Sequence, residues 1–327
     1  GVRANADTPD MIRMARRFGA EGIGLCRTER QFNDPQRLSI IREFILADTA
    51  QERSAALERL KDIQTVDFKA LFSALDGIPI IIRLLDLPLH EFLPSIEECA
   101  DERTRQRVCE LREINPMMGH RGIRLGITNP EIYAMQIDSI YAAKQEVKAD
   151  VSVMIPQVIT LQELIWVKKL IGNRDIKLGT MMETVRGCLR AGRLAEVADF
   201  FSFGTNDLTQ AVYSFSREDA EKKFLTTYME KRILRDNPFE IIDVKGVGRL
   251  IQIAIEWARK TKPNIEIGIC GEHGGEPYSI AFFNAVGANY VSCSPFRLPM
   301  ARLAAAKAAM DGMDLEKIQE SAELSVP

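Results

Sequence analysis

The sequence has little histidine, three residues in 327, and six cysteines, at 26, 99, 109, 188, 270 and 293. The cysteines are spaced neither as a disulfide framework nor as a zinc site, so a reducing, cytoplasmic setting is expected. No apolar run approaches the roughly 18 residues of a membrane span, and no secretory leader is read at the start. A chain opening on Gly1 instead of Met is expected to be part of something longer. Charge of either sign is not in excess: 43 Lys and Arg stand against 46 Asp and Glu, a net charge of −3. That balance argues against a nucleic-acid partner. With 46% hydrophobic residues the chain can build a full core, which excludes disorder as its main state.

Short apolar runs alternate with helical patterns. Thr8-Pro9-Asp10 is a helix start, with a hydroxyl cap, proline at the first position and an acid behind it. Candidate strands follow at 22–25, 78–85, 119–121, 151–155, 176–182, 200–203, 265–269 and 290–291. Helical patterns cover 36–75, 95–112, 130–148, 161–171, 186–197, 247–261, 277–286 and 301–310, and residues 220–245 form a polar insertion. Eight strands alternating with helices predict a parallel sheet closed into a single α/β (β/α)8 barrel over residues 1–327, with helical insertions. The competing open, doubly wound sheet lacks its Gly-rich dinucleotide turn. No linker, repeat or low-complexity tract divides the chain.

In such barrels the chemistry sits at the C-terminal ends of strands. Arg27, Arg83, Arg121, Glu183, Asn206, Asp207 and Cys270 occupy those positions here. Glu183 and Asp207 end neighbouring strands, about 5 Å apart, and two oxygen ligands with the rest left to water and substrate suit Mg²⁺. Arg83 interrupts an apolar strand, and a buried guanidinium needs an anionic partner. The three arginines could chelate a phosphate ester or simply pair with Glu29, Asp86 or Glu91. Gly204 and Thr205 open a turn whose backbone N–H groups can approach an anion, although ordinary turn chemistry accounts for them equally. Cys270 reads evenly as a proton donor or as a buried small hydrophobe. Cys293, also at a strand end, and the other four cysteines are assigned to packing or surface. His90, His120 and His273 all fall in loops after strands and read as hydrogen-bonding residues, not as phosphate carriers.

The stretches Gly-Ile-Gly-Leu-Cys-Arg-Thr-Glu (22–29), Arg-Leu-Leu-Asp-Leu-Pro-Leu-His-Glu-Phe-Leu-Pro (83–94), Asn-Pro-Met-Met-Gly-His-Arg-Gly (115–122), Gly-Thr-Met-Met-Glu (179–183), Ser-Phe-Gly-Thr-Asn-Asp-Leu-Thr-Gln (202–210), Gly-Ile-Cys-Gly-Glu-His-Gly-Gly (268–275) and Tyr-Val-Ser-Cys-Ser-Pro-Phe-Arg (290–297) carry a resemblance. Together they resemble the C-terminal barrel of the pyruvate phosphate dikinase family, among the phosphoenolpyruvate-utilising enzymes, from Val2 to about Met310. The chain departs from the family after Glu183, reading Thr-Val-Arg-Gly-Cys where Ile-Pro-Arg-Ala-Ala is expected.

The resemblance implies a phosphotransferase with a phosphoenolpyruvate/pyruvate site. Glu183 and Asp207 match the family's Mg²⁺ ligands, and Arg27, Arg83 and Arg121 its phosphate-holding arginines. Asn206 matches a substrate-carboxylate contact, Arg217 a further substrate arginine, and Cys270 the acid that protonates the enolate. It also implies a homodimer, and a swivelling phosphohistidine domain as partner. Neither that domain nor the family's nucleotide-binding domain is read in this sequence, so one half-reaction is expected. The alternatives are a Mg²⁺-dependent lyase or aldolase acting on a pyruvate enolate, and a non-catalytic phosphoenolpyruvate-binding dimerisation module.

Overall fold

A computed structural model describes residues 1–99, 101–312 and 315–323. Eight parallel strands close into a barrel in sequence order, the first pairing with the last: β1 Val2–Asn5, β2 Ile23–Arg27, β3 Ile80–Arg83, β4 Val151–Ile155, β5 Lys177–Met182, β6 Phe200–Phe203, β7 Glu266–Ile269 and β8 Tyr290–Cys293. The closed barrel matches the expectation, and two of its strands differ from it. No strand forms at 119–121, where a 3-10 turn at Pro116–Met118 leads into a helix at Ile123–Thr128. The missing strand is β1, four residues reading Val-Arg-Ala-Asn, too short and too polar to show a period. The barrel closes with eight strands because β1 takes the place of the strand expected at 119–121.

Thr8 caps the first helix, Pro9–Arg17, as expected, its hydroxyl accepting from the Met11 N–H at 3.3 Å. The helical stretch from 36 breaks into Pro35–Leu46 and Ala50–Leu75, because Thr49 and Glu52 form a capping box that starts a second helix.

Successive strand residues face opposite sides of the barrel wall. Ile80, Ile82, Val151, Val153, Phe201, Ile267 and Ile269 pack outward against the helices. Leu25, Ile81, Met154, Met181, Phe200 and Tyr290 pack inward and plug the barrel with buried apolar side chains. The same period of two fixes what stands above the plug. Two residues beyond Leu25 is Arg27, beyond Ile81 is Arg83, and beyond Met181 is Glu183. Beyond Arg3, whose guanidinium lies 3.8 Å from the Tyr290 ring centroid, is Asn5. Strand parity thus aims a ring of polar side chains into the C-terminal mouth of the barrel. No helix among the described residues is long and apolar enough to cross a membrane.

Candidate functional site

The polar ring surrounds a cleft of about 350 Å³, whose lining includes Asn5, Arg27, Arg83, Arg121, Glu183, Gly204, Asn206, Asp207 and Cys270. Each arginine is braced by a carboxylate. Asp7 accepts from the Arg27 backbone N–H at 2.8 Å and from its Nη2 at 2.6 Å. Glu29 pairs with Arg83, and Asp86 lies 3.1 Å from Arg83 Nη1. Asp86, fully buried, also grips Arg121 through two bonds, Nε to Oδ1 at 3.1 Å and Nη2 to Oδ2 at 2.6 Å. Burial disfavours the charge on Arg83, but Glu29, Asp86, Glu183 and Asp207 outweigh it and raise its pKa further. The arginines are therefore both ion-paired, to Asp7, Glu29 and Asp86, and exposed to one shared cleft. Bracing fixes the direction in which each fork points, which is what bidentate recognition of an anion requires.

Arg121 reaches this ring from a loop, not from a strand end. The loop is held because Gln136 Oε1 accepts from the Leu85 N–H at 2.9 Å and Tyr133 Oη donates to the Leu85 carbonyl at 3.0 Å. These bonds fix the chain just before Asp86, and Asp86 draws in Arg121.

Carboxylate oxygens of Asp86, Glu183 and Asp207 lie within 4.8 Å of one another. Burial first, then Asp207 and Asp86, push Glu183 well above the usual carboxylate range, against the pull of Arg83 and Arg121. Asp86 is committed to two guanidinium groups, which leaves Glu183 and Asp207 as the acids able to hold a cation. Three arginines face five carboxylates in this network, Asp7, Glu29, Asp86, Glu183 and Asp207, so two negative charges remain when all are ionised. An all-oxygen donor set with that surplus fits a hard divalent cation. Gly204 makes room for it: a Cβ there would sit 2.8 Å from Glu183 Oε2.

Cys270 lies on the cleft floor, with Sγ 3.6 Å from the Phe203 carbonyl. Burial pushes its thiol up to about 11, so it carries its proton at neutral pH. Asn206 Oδ1 accepts from the Glu272 N–H at 3.1 Å, joining the first turn of the helix Thr205–Tyr213 to the turn after β7. Two of the residues expected at the site do not line the cleft. Thr205 is fully buried, its hydroxyl 2.8 Å from His273 Nδ1. His273 Nε2 lies 2.9 Å from the Pro238 carbonyl, which can only accept, so Nε2 carries the proton and Nδ1 accepts from Thr205. Burial lowers the His273 pKa, in keeping with a neutral, structural ring. Arg217 stands at the rim, bonded to both oxygens of Glu272 at 2.8 and 3.2 Å and to Glu221 at 3.1 Å. Cys293 is buried outside the cleft lining, and all six cysteines are free.

Sequence reasoning missed Asn5 and Asp7, which depend on the unread first strand, and Gln157. The only signal for Gln157 was a polar residue shortly after β4, and Pro156 puts it one residue further from its strand than Glu183 is from β5.

The sequence profile described as "PEP-utilising enzyme, PEP-binding domain" matches residues 1–310. The chain is 48% identical to a pyruvate, phosphate dikinase of Entamoeba histolytica, covering 94% of this chain and 39% of that protein. It is 49% identical to the pyruvate, phosphate dikinase of Rhizobium meliloti, over 97% and 38%, and 46% identical to that of Clostridium symbiosum, over 95% and 39%. The chain thus spans under two fifths of the length of these relatives.

Proposed function

Because the chain belongs to the family of PEP-binding domains of PEP-utilising enzymes, we propose that its cleft performs the phosphoenolpyruvate/pyruvate half-reaction of a phosphate dikinase. The observation that carries this reading is the convergence of three braced arginines, two cation-ready acids and a protonated thiol on one 350 Å³ cleft.

Arg27, Arg83 and Arg121 hold the phosphoryl group and neutralise its charge during transfer, which is most of what this chemistry asks of a protein. A histidine on a separate swivelling domain attacks phosphorus; the bond to the enol oxygen breaks and its electrons remain on an enolate. The Cys270 thiol then donates its proton to the enolate carbon, giving pyruvate and a thiolate, and in reverse the thiolate takes a methyl proton. Asn206, beside Gly204 on the cleft wall, contacts the substrate carboxylate, and Arg217 orders the rim through Glu272. Glu183 and Asp207 would hold Mg²⁺, which when bound supplies positive charge to the oxygens of enolate and phosphoryl group.

Phe296, Met300, Leu303 and Met310, in and just before the helix Leu298–Asp311, are exposed at 51–86%. They support a homodimer as the working form. The free cysteines suit the cytoplasm as its setting.

The test is exchange of pyruvate methyl protons for deuterium, followed by NMR with Mg²⁺ and phosphate present. The wild-type chain should exchange, and Cys270→Ala should lose at least ~10²-fold of the rate while keeping its melting temperature and oxalate affinity. Full exchange in a well-folded Cys270→Ala protein removes the thiol from the mechanism.

A further inference from the structure

We propose that Gln157 is the positioning residue of the acid pair, fixing Glu183 and Asp207 at the spacing a divalent cation requires; this rests on the reading of those two acids as the cation site. The Gln157 backbone N–H donates to Glu183 Oε1 at 2.7 Å, and its side-chain Nε2 donates to Asp207 Oδ2 at 3.3 Å. One uncharged residue therefore touches both carboxylates, one directly after β5 and the other not, as expected, at the end of β6 but in the first turn of the helix Thr205–Tyr213 that follows it. Gln157 is 5% exposed and does not line the cleft, so it acts on the acids from behind.

The backbone is bent to make this possible. Gln157 has φ +61°, a left-handed conformation that strains a side-chain-bearing residue. The other non-glycine residues with positive φ, Asp76, Ser214 and Arg232, close or follow helices; among the described residues Gln157 is the one placed between a barrel strand and its helix. The bend lets the N–H face Glu183 while the side chain runs on to Asp207. Gly122 lies against that side chain: a Cβ there would stand 3.0 Å from Gln157 Cβ and Cγ and 2.9 Å from Asp86 Oδ1. The side chain is thus wedged between the Arg121-Gly122 turn and the acids. Arg121 Nη2 approaches the same Asp207 oxygen at 3.4 Å, so a charged and a neutral donor share it. Partners of this kind, one step behind the ligands, typically account for 10–100-fold in metal affinity.

The experiment is calorimetric titration of the full 327-residue chain with Mg²⁺ alone, paired with a melting curve for each variant. Gln157→Gly keeps the backbone N–H and takes φ +61° without strain, so its melting temperature should hold or rise while Mg²⁺ binds ~10-fold more weakly. Gln157→Leu should show the same loss of affinity with a melting temperature below that of Gln157→Gly, because leucine, like glutamine, carries the strain that glycine relieves. A merely structural glutamine would link the two readouts, and Gln157→Gly separates them. If Glu183→Gln weakens Mg²⁺ binding but Gln157→Gly binds as tightly as wild type, the positioning role is overturned and the acid pair stands. If Glu183→Gln leaves Mg²⁺ binding unchanged, the cation site itself falls and takes this role with it.

Discussion

The interior of the barrel holds two layers built from the same strands. The lower one, Leu25, Ile81, Met154, Met181, Phe200 and Tyr290, is apolar and buried. The upper one, two residues further along, carries Arg27, Arg83 and Glu183. Arg83 is 9% exposed and Glu183 2%, nearly as buried as the plug beneath them. Burial is therefore not what distinguishes the layers. The plug is satisfied by any apolar group of suitable shape, whereas each upper-layer charge depends on a particular partner: Asp7 for Arg27, Glu29 and Asp86 for Arg83. One step of strand period separates a layer that confers stability from a layer that consumes it for chemistry.

Arg83→Met should break the contrast most severely. It leaves Glu29 without its guanidinium partner and Asp86 with one fewer, and stability measured by urea unfolding should fall by about 3–5 kcal/mol. Adding Glu29→Gln to that variant should recover part of the loss, since the damage lies in the unpaired charge and not in lost volume.

A second prediction concerns the thiol that sits between the layers. With a pKa of about 11 against an ordinary 9.0, Cys270 should present about 100-fold less thiolate at neutral pH than an unperturbed thiol. Its alkylation, followed by mass spectrometry, should be correspondingly slow and should accelerate as pH rises toward 11. The folded state binds this proton more tightly than the unfolded one. Its contribution to stability is therefore complete below about pH 9 and is lost as pH rises through about 11.

The smallest effect belongs to the plug. Ile81→Val should cost about 0.5–1.5 kcal/mol and leave oxalate affinity unchanged, because nothing in the upper layer pairs with Ile81. A loss of oxalate affinity in that variant would mean that the layers are coupled through packing, for which the contact of Met181 Sδ with Arg83 Nη1 at 3.7 Å offers a route.

The upper layer was legible in the sequence wherever a strand announced itself. Arg83, Glu183 and Cys270 each follow a run of apolar residues, and parity then dictates their inward direction. Legibility stopped where the run was too short. Val2–Asn5 has only two apolar residues, so Asn5 and the adjoining Asp7 stayed hidden. Arg121 was identified as a residue but attributed to a strand that does not form, since what carries it inward is a buried aspartate 35 positions away. Thr205 shows the converse. Its place in the Gly-Thr-Asn-Asp turn suggested an anion contact, yet its hydroxyl turns inward to His273, 68 residues on. Pairings over such separations leave no periodic trace, whereas strand parity does.

The central claim is that Glu183 and Asp207, within the cleft network of five carboxylates and three arginines, hold a divalent cation beside an enolate. Titration of Mg²⁺ by calorimetry, with and without oxalate as an enolate mimic, tests it most directly in the wild-type chain and in the Glu183→Gln, Asp207→Asn double variant. Wild-type binding should strengthen when oxalate is present, and the double variant should lose both the cation and the oxalate effect while remaining folded. A folded double variant that binds Mg²⁺ and oxalate as tightly as wild type would contradict the account.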